Sequence, residues 1–190
     1  MRGAGILAGM PRTLPLGPND WRVVIEAARV LLVPLTRADA DDMFPVLNDR
    51  SLHLHTGGEP MDAEALEERY ERLERGTPDD ESEVWANWIV RLHDTGAAIG
   101  YVQASIGEHG ANLAWVIGSS WQRHGYASEA ACAMAGWLRG AGVGPLRAHI
   151  HPQNMSSARV AERAGLRPTG ETDADGEAVW ESCANRRGSA

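Results

Sequence analysis

The sequence predicts a mixed α/β domain: a mostly antiparallel central sheet flanked by helices. Three observations point there. Three β-rich segments, 86–92, 98–106 and 112–118, follow one another across Asp94-Thr95-Gly96 and Glu108-His109-Gly110, short turns that suit antiparallel hairpins. Extended and helical segments alternate after residue 112, an order that implies a parallel, right-handed crossover. Length and composition suit one globular unit, with 190 residues, 43% hydrophobic and 23% charged.

The elements follow in order. Residues 1–27 read as a flexible extension, because the short Ile6-Leu7-Ala8 run is broken by glycines and prolines and lacks a signal-peptide pattern. A single domain then spans 28–183, with 184–190 a tail. Residues 29–35 read as a first strand that ends near Pro34. Thr36-x-x-Asp39 opens a helix with Ala40, Met43, Phe44 and Leu47 on one face, which Pro45 should kink or split. A loop covers 48–61. Asp62 caps a helix from Ala63 to about Arg75, where Leu66, Tyr70 and Leu73 share a face and Glu68–Arg72 and Glu71–Arg75 add favourable pairs. After the acidic loop 76–83 come the three strands. In 127–139, Ala127, Ala130, Ala131, Met134, Trp137 and Leu138 recur at helical spacing. Residues 140–145 break the chain, 146–150 form a strand, the helix after Asn154 stops at Gly165, and a last strand or hairpin fits around 177–181 after Asp175-Gly176.

Composition narrows the function. All 18 basic residues are arginine, which excludes a lysine Schiff base or a Walker-type phosphate lysine. A net charge of -8 argues against a general nucleic-acid partner. No apolar run is long enough to span a bilayer, so no membrane role and a cytoplasmic location are expected. Cys132 and Cys183 offer neither a disulfide framework nor metal spacing, and Cys132 reads as a small packing residue in its helix.

Chemistry concentrates in Trp121-Gln122-Arg123-His124-Gly125-Tyr126-Ala127, between a strand and a helix. A loop that opens a helix aims several unsatisfied backbone N–H groups at one spot, and the helix dipole adds to them. That is an anion site, most naturally for a diphosphate. Gly125 permits close approach or a positive φ, while Arg123 and His124 add local positive character.

The Gln-x-x-Gly-x-Ala loop resembles the acyl-coenzyme-A loop of the GNAT acetyltransferase superfamily. About thirty residues on, the run from His151 to Leu166, an Asn154-x-x-Ser157 helix closing on Ala164-Gly165-Leu166, resembles its second signature. The resemblance covers residues 28–181 and is closest to the branch of bacterial ribosomal-protein N-terminal acetyltransferases. It implies a GNAT-like sheet with a parallel, splayed strand pair at the cofactor site. Trp115, Val116 and Ile117 would line the gap beside the pantetheine arm, with Val116 or Ile117 donating to the developing oxyanion. Gln122, Arg123, His124, Gly125, Tyr126 and Ala127 would bind the cofactor diphosphate. Asn154 would hydrogen-bond the cofactor, cap the following helix, or do both. Ser157 would sit near the cofactor sulfur and protonate the leaving thiolate, because Tyr126 is the last tyrosine and the late catalytic tyrosine of other relatives is missing.

A general base is harder to place. Many relatives carry a glutamate where this chain has Asn112. His151 has a suitable intrinsic pKa and precedes Asn154; Glu83, Glu171 and Glu177 are the other candidates. His53-x-His55 and His149-x-His151 invite a zinc reading, but nothing shows that the pairs meet, and no metal is expected. His53, His55, Glu59, Trp85 and Trp88 are candidate acceptor-pocket residues, with core packing the competing reading for both tryptophans. The acidic run Asp79-Asp80-Glu81-Ser82-Glu83 could draw a cationic amine or remain a solvated loop.

The expectation is an acetyl-coenzyme-A-dependent N-acetyltransferase working by direct transfer in a ternary complex. Its acceptor would be a small-molecule amine or a peptide α-amine, and a homodimer is compatible with it. A non-catalytic acyl-coenzyme-A sensor and an acyltransferase for longer chains are the alternatives.

Overall fold

The computed structural model describes residues 14–53 and 60–182. Eight strands form one sheet: β1 Ile25–Glu26, β2 Val30–Pro34, β3 Val84–Leu92, β4 Ala98–Gly107, β5 Gly110–Ile117, β6 Leu146–Ile150, β7 Leu166–Thr172 and β8 Ala178–Ser182. Their order across the sheet is β1-β2-β3-β4-β5-β6-β8-β7. All neighbours are antiparallel except β5 and β6, which run parallel. The mixed, mostly antiparallel sheet of the sequence reading is therefore the observed one.

Four helices, α1 Ala40–Leu47, α2 Ala63–Glu74, α3 Tyr126–Gly140 and α4 Met155–Arg163, cover the two faces. Alternation along β3 assigns the sides. Trp88 and Val90 join the larger core beneath α3 and α4, while Ile89 joins the smaller one beneath α1 and α2. Ala130, Ala131, Met134, Ala135 and Leu138 are the buried face of α3, the 3.6-residue stripe seen in the sequence. Trp88 is fully buried, edge-on to Trp21 and to Trp137 at 5.6 Å each, so it is a core residue and not part of an acceptor pocket.

Several boundaries differ from expectation. The domain begins earlier than residue 28: Trp21 is 0% exposed, Leu14 and Leu16 pack on the core, and β1 pairs with β2. Pro45 neither kinks nor splits α1. It lies in the last turn, where the helix ends within two residues, and a 3-10 turn at Arg37–Asp39 precedes it. The chain entering that turn is held by Asp39, whose Oδ2 accepts from the Thr36 amide at 2.8 Å and its hydroxyl at 2.9 Å. Another 3-10 turn, Arg50–His53, interrupts the expected loop. Strand β7 went unread because six of its seven residues are exposed, which leaves no apolar alternation.

Candidate active site

The site forms where the sheet opens. Strands β5 and β6 pair only at Ala111↔Leu146 and Asn112↔Arg147, although β5 continues five residues further to Ile117. Beyond Asn112 they diverge into a cleft. The parity of β5 shows which amides face it. The Ala111 N–H donates to Pro145 on the β6 side at 3.0 Å, and the Gly118 N–H donates to Ile99 on the β4 side at 2.9 Å. Amides alternate along a strand, so those of Trp115 and Ile117 face the cleft and that of Val116 faces β4. Of the two expected donors, Ile117 presents its amide to the cleft, and Val116 has its half-buried side chain on the α1–α2 face. Behind the cleft the strands approach closely. A Cβ on Gly100 would lie 2.1 Å from the Val116 carbonyl oxygen and 2.9 Å from Ile117 Cα.

The predicted anion loop lies just past β5. A 3-10 turn at Ser119–Trp121 leads into Gln122, whose Nε2 donates to the Ile117 carbonyl at 3.0 Å and so fixes the end of the strand. Arg123 and Gly125 both have positive φ, 66° and 86°. Gly125 is the N-cap of α3 and has no side chain to satisfy the first-turn amides, leaving those of Tyr126, Ala127 and Ser128 without a side-chain cap. This is a 15-residue helix with its positive end open. His124 stacks on Tyr126 with ring centroids 5.8 Å apart, and its Nδ1 lies 2.8 Å from the Gln122 carbonyl oxygen.

Arg29, at the foot of β2, holds this loop and was not singled out from the sequence. Its Nη1 donates to the His124 carbonyl at 3.1 Å, and its guanidinium lies 4.8 Å from the Tyr126 ring centroid. Its Nε and Nη2 reach Glu129 Oε2 at 2.8 and 2.7 Å. Glu129 is in the first turn of α3. A carboxylate there would compete with a bound anion, and Arg29 draws it aside. These partners are 100 residues apart, which is why no local pattern exposed them.

On the other side of the cleft, Asn154 caps α4: its Oδ1 accepts from the Ser157 amide at 3.0 Å. The capping role is thus observed, and Ser157 is half-buried one turn into the helix. Arg163 of α4 donates to the buried Ser128 hydroxyl at 3.1 Å, tying α4 to the first turn of α3. Cys132 is exposed rather than packed in the core as expected; its Sγ donates to the Arg163 carbonyl at 3.2 Å, and desolvation raises its pKa. Nothing there creates a nucleophilic thiolate.

His151, the expected base, lies just past the end of β6. Its Nδ1 accepts from the Gln153 amide at 3.2 Å, and the ring lines a cavity of about 350 Å³ with Met155, Arg159 and Trp180, on the α3–α4 face of the sheet. His149 points the other way, since its neighbours Ala148 and Ile150 enter the α3–α4 core. Nδ1 of His149 lies 2.6 Å from Asp173 Oδ2. Asp173 is held below the usual carboxylate range first by the Glu177 backbone and then by this histidine.

The same face carries a polar row across five strands. Trp85, Ser105, Asn112, Arg147 and Glu181 are register partners in turn. Arg147 Nε meets Glu181 Oε2 at 2.6 Å, and the Trp85 indole donates to Glu83 Oε1 at 2.7 Å. Among the described residues no group of three or more His, Cys, Asp or Glu is placed to hold a metal ion. Nor is any helix among them long and apolar enough to cross a membrane. The His53 side chain, His55, Glu59, Cys183 and the 184–190 tail lie outside the described residues.

A strand gap facing an uncapped helix N-terminus defines a site for a ligand that is anionic at one end and hydrogen-bonded like a strand along its length. Comparison with known proteins identifies the class. The acetyltransferase (GNAT) domain family matches residues 29–167, most of the chain, and the protein belongs to that family. The fold is shared with a GNAT-family acetyltransferase from Bacillus anthracis, 20% identical, covering 84% of this chain and 96% of that one, TM-score 0.69. A Vibrio cholerae protein named as a ribosomal-protein-serine acetyltransferase is also 20% identical, covering 87% and 98%, TM-score 0.68. So is the aminoglycoside acetyltransferase AAC(6')-Ib in complex with paromomycin and acetyl-coenzyme A, covering 86% and 100%, TM-score 0.69. No curated protein matches in sequence.

Proposed function

We propose that the protein transfers an acetyl group from acetyl-coenzyme A to a primary amine, directly and within a ternary complex. One observation carries the reading: the β5–β6 ladder stops at Asn112 and Arg147, opposite the uncapped N-terminus of α3. The residues present suit the cofactor. The amides of the Arg123–Ser128 segment would hold its diphosphate, with Gln122, His124, Tyr126 and Ala127 shaping the loop. Asn154 would meet the pantetheine arm through its amide nitrogen, its oxygen being committed to the cap. Bound acetyl-coenzyme A supplies a thioester carbonyl and a thiol leaving group. The Ile117 N–H donates to the carbonyl oxygen as charge develops there, and needs no reorganisation because it already faces the cleft. Ser157 hydrogen-bonds the departing sulfur.

The acceptor approaches on the α1–α2 face. There Glu181 pairs with Arg147, and Asp173 is hydrogen-bonded to His149. Asn87, Gln103, Ser105 and Asn112 are the neutral polar groups. Among the described residues, these neutral groups beside the cleft suit a peptide-like α-amine. Asn112 also keeps a second reading in view, a coenzyme-A-binding sensor without turnover.

The test is thiol release from acetyl-coenzyme A against a panel of N-terminal peptides and small amines, with calorimetric titration of coenzyme A on the same protein. Amine-dependent release is the expected result. Binding without release favours the sensor, and absence of binding refutes the site.

A further inference from the structure

Deprotonation of the acceptor is the step that Asn112 leaves without a residue. An alkyl amine is mostly an ammonium ion at neutral pH and must lose a proton before its nitrogen can attack. We infer that His149, oriented by Asp173, takes that proton; this rests on the transferase reading above. His149 lies on β6 two residues beyond Arg147, the last residue paired with β5. It therefore stands just past the last paired residues, where the cleft opens, and on the same face as Asn112.

The hydrogen bond to Asp173 sets the tautomer. A carboxylate can only accept, so Nδ1 carries the hydrogen and the Nε2 lone pair is left to act as base. Asp173 is itself fixed: its Oδ1 accepts from the amides of Asp175 at 3.0 Å and Glu177 at 2.9 Å in the β7–β8 turn. Oδ2 thereby holds the ring and stabilises the imidazolium that forms. The His149 and Asp173 side chains are 36% and 22% exposed, open enough to exchange protons with water. Other charge nearby is balanced or set back. Arg147 and Glu181 pair one alternate position away, Glu177 precedes β8, Val179 is the register partner on β8, and Ala114 and Val116 across the cleft are uncharged.

The proton balance closes. Nε2 takes one proton from the ammonium; the amine nitrogen then forms the C–N bond as the C–S bond breaks. The second nitrogen proton leaves on the thiol, and the imidazolium returns the first to solvent. Asp173 is a positioning residue and stays ionised throughout.

Two experiments on the full chain test this. Nitrogen-15 imidazole NMR needs no acceptor: it should show the hydrogen of His149 on Nδ1, and Asp173→Asn should shift the ring towards the other tautomer. A hydrogen on Nε2 in the unmutated protein overturns the proposal. The second is kinetic, with the panel amine that releases thiol fastest. His149→Gln should lower kcat about 100-fold, within the range of general-base removal, and leave turnover rising with pH as the amine itself loses its proton. Coenzyme A affinity, which checks folding, should stay within about twofold of the unmutated value. The loss should be at least ~10-fold smaller with hydroxylamine, a nucleophile already neutral at pH 7, since that acceptor has no proton to give up before it attacks. Turnover retained in His149→Gln, or an equal loss with both nucleophiles, overturns the proposal. Failure of the unmutated protein to release thiol with any amine would instead refute the transferase reading, and the NMR result would still decide the tautomer.

Discussion

Replacing Arg29 by alanine should weaken coenzyme A binding although Arg29 lies outside the cofactor loop. The side chain anchors the His124 carbonyl and occupies Glu129 Oε2 through two nitrogens at 2.8 and 2.7 Å. Without it, the Glu129 carboxylate, 16% exposed, faces the same helix terminus as the diphosphate. A charge ~7 Å from a phosphate costs about 1 kcal/mol per unit charge at an effective dielectric constant of ~40, so a diphosphate raises this to about 2 kcal/mol. That unmasked charge is the loss of the Arg29 cation as the diphosphate feels it, and it is reduced because the arginine side chain is 52% exposed and screened by salt. The net expectation is ~1–2 kcal/mol, roughly 5- to 30-fold in Kd. Calorimetric titration of coenzyme A at two ionic strengths measures it, with the larger effect at low salt. Arg29→Ala combined with Glu129→Gln should recover more than about half of the lost free energy, since it removes the repulsion but not the lost anchor on the His124 carbonyl. Arg29→Ala binding within twofold of the unmutated protein would refute the reasoning. So would a double variant no better than the single one.

Other perturbations separate the parts of the site. Gly125→Glu puts a side chain and a negative charge at a φ of 86° in the mouth of the anion site; it should abolish coenzyme A binding in calorimetry while far-UV circular dichroism stays near native. Ser157→Ala should lower kcat at least ~10-fold with little change in coenzyme A affinity, and equal turnover removes the hydroxyl from the mechanism. Gly100→Ala places a carbon where the Val116 carbonyl oxygen already lies 2.1 Å away. The strands must move apart, at a cost of about 1–3 kcal/mol, visible as a lower denaturation midpoint in urea.

Local periodicity made most of the fold legible. The hairpin turns at 94–96 and 108–110, the alanine stripe of α3 and the Asp62 cap of α2 each lie within one segment and appear in the structure as read. Where the information is not local, the reading stops. Strand β7 gains its place by pairing with β8 and not by a buried face, and Trp21 is buried by partners more than sixty residues away. At the site, the loop around Gly125 and the Asn154 cap were legible because helix termini announce themselves in adjacent residues. Arg29, Glu129 and the His149–Asp173 pair were not, because their meaning depends on which face of which strand each occupies. His149 and His151 illustrate this: one lies on β6 opposite the α3–α4 core, and the other, just past the strand end, lines the cavity beside α4.

The two-residue contact between β5 and β6 makes the sheet one strand short at its centre. Five strands lie to one side of this seam and three to the other, and past Asn112 β5 pairs with no strand on its β6 side among the described residues. A pantetheine arm that fills the gap would act as the missing strand, so ligand capture and completion of the domain become one event. Apparent stability would then track cofactor supply, rising by about 2.7 kcal/mol when free ligand reaches ~100 times its Kd. In a cell, the depth of the acetyl-donor pool would set how long the protein lasts as well as how fast it works.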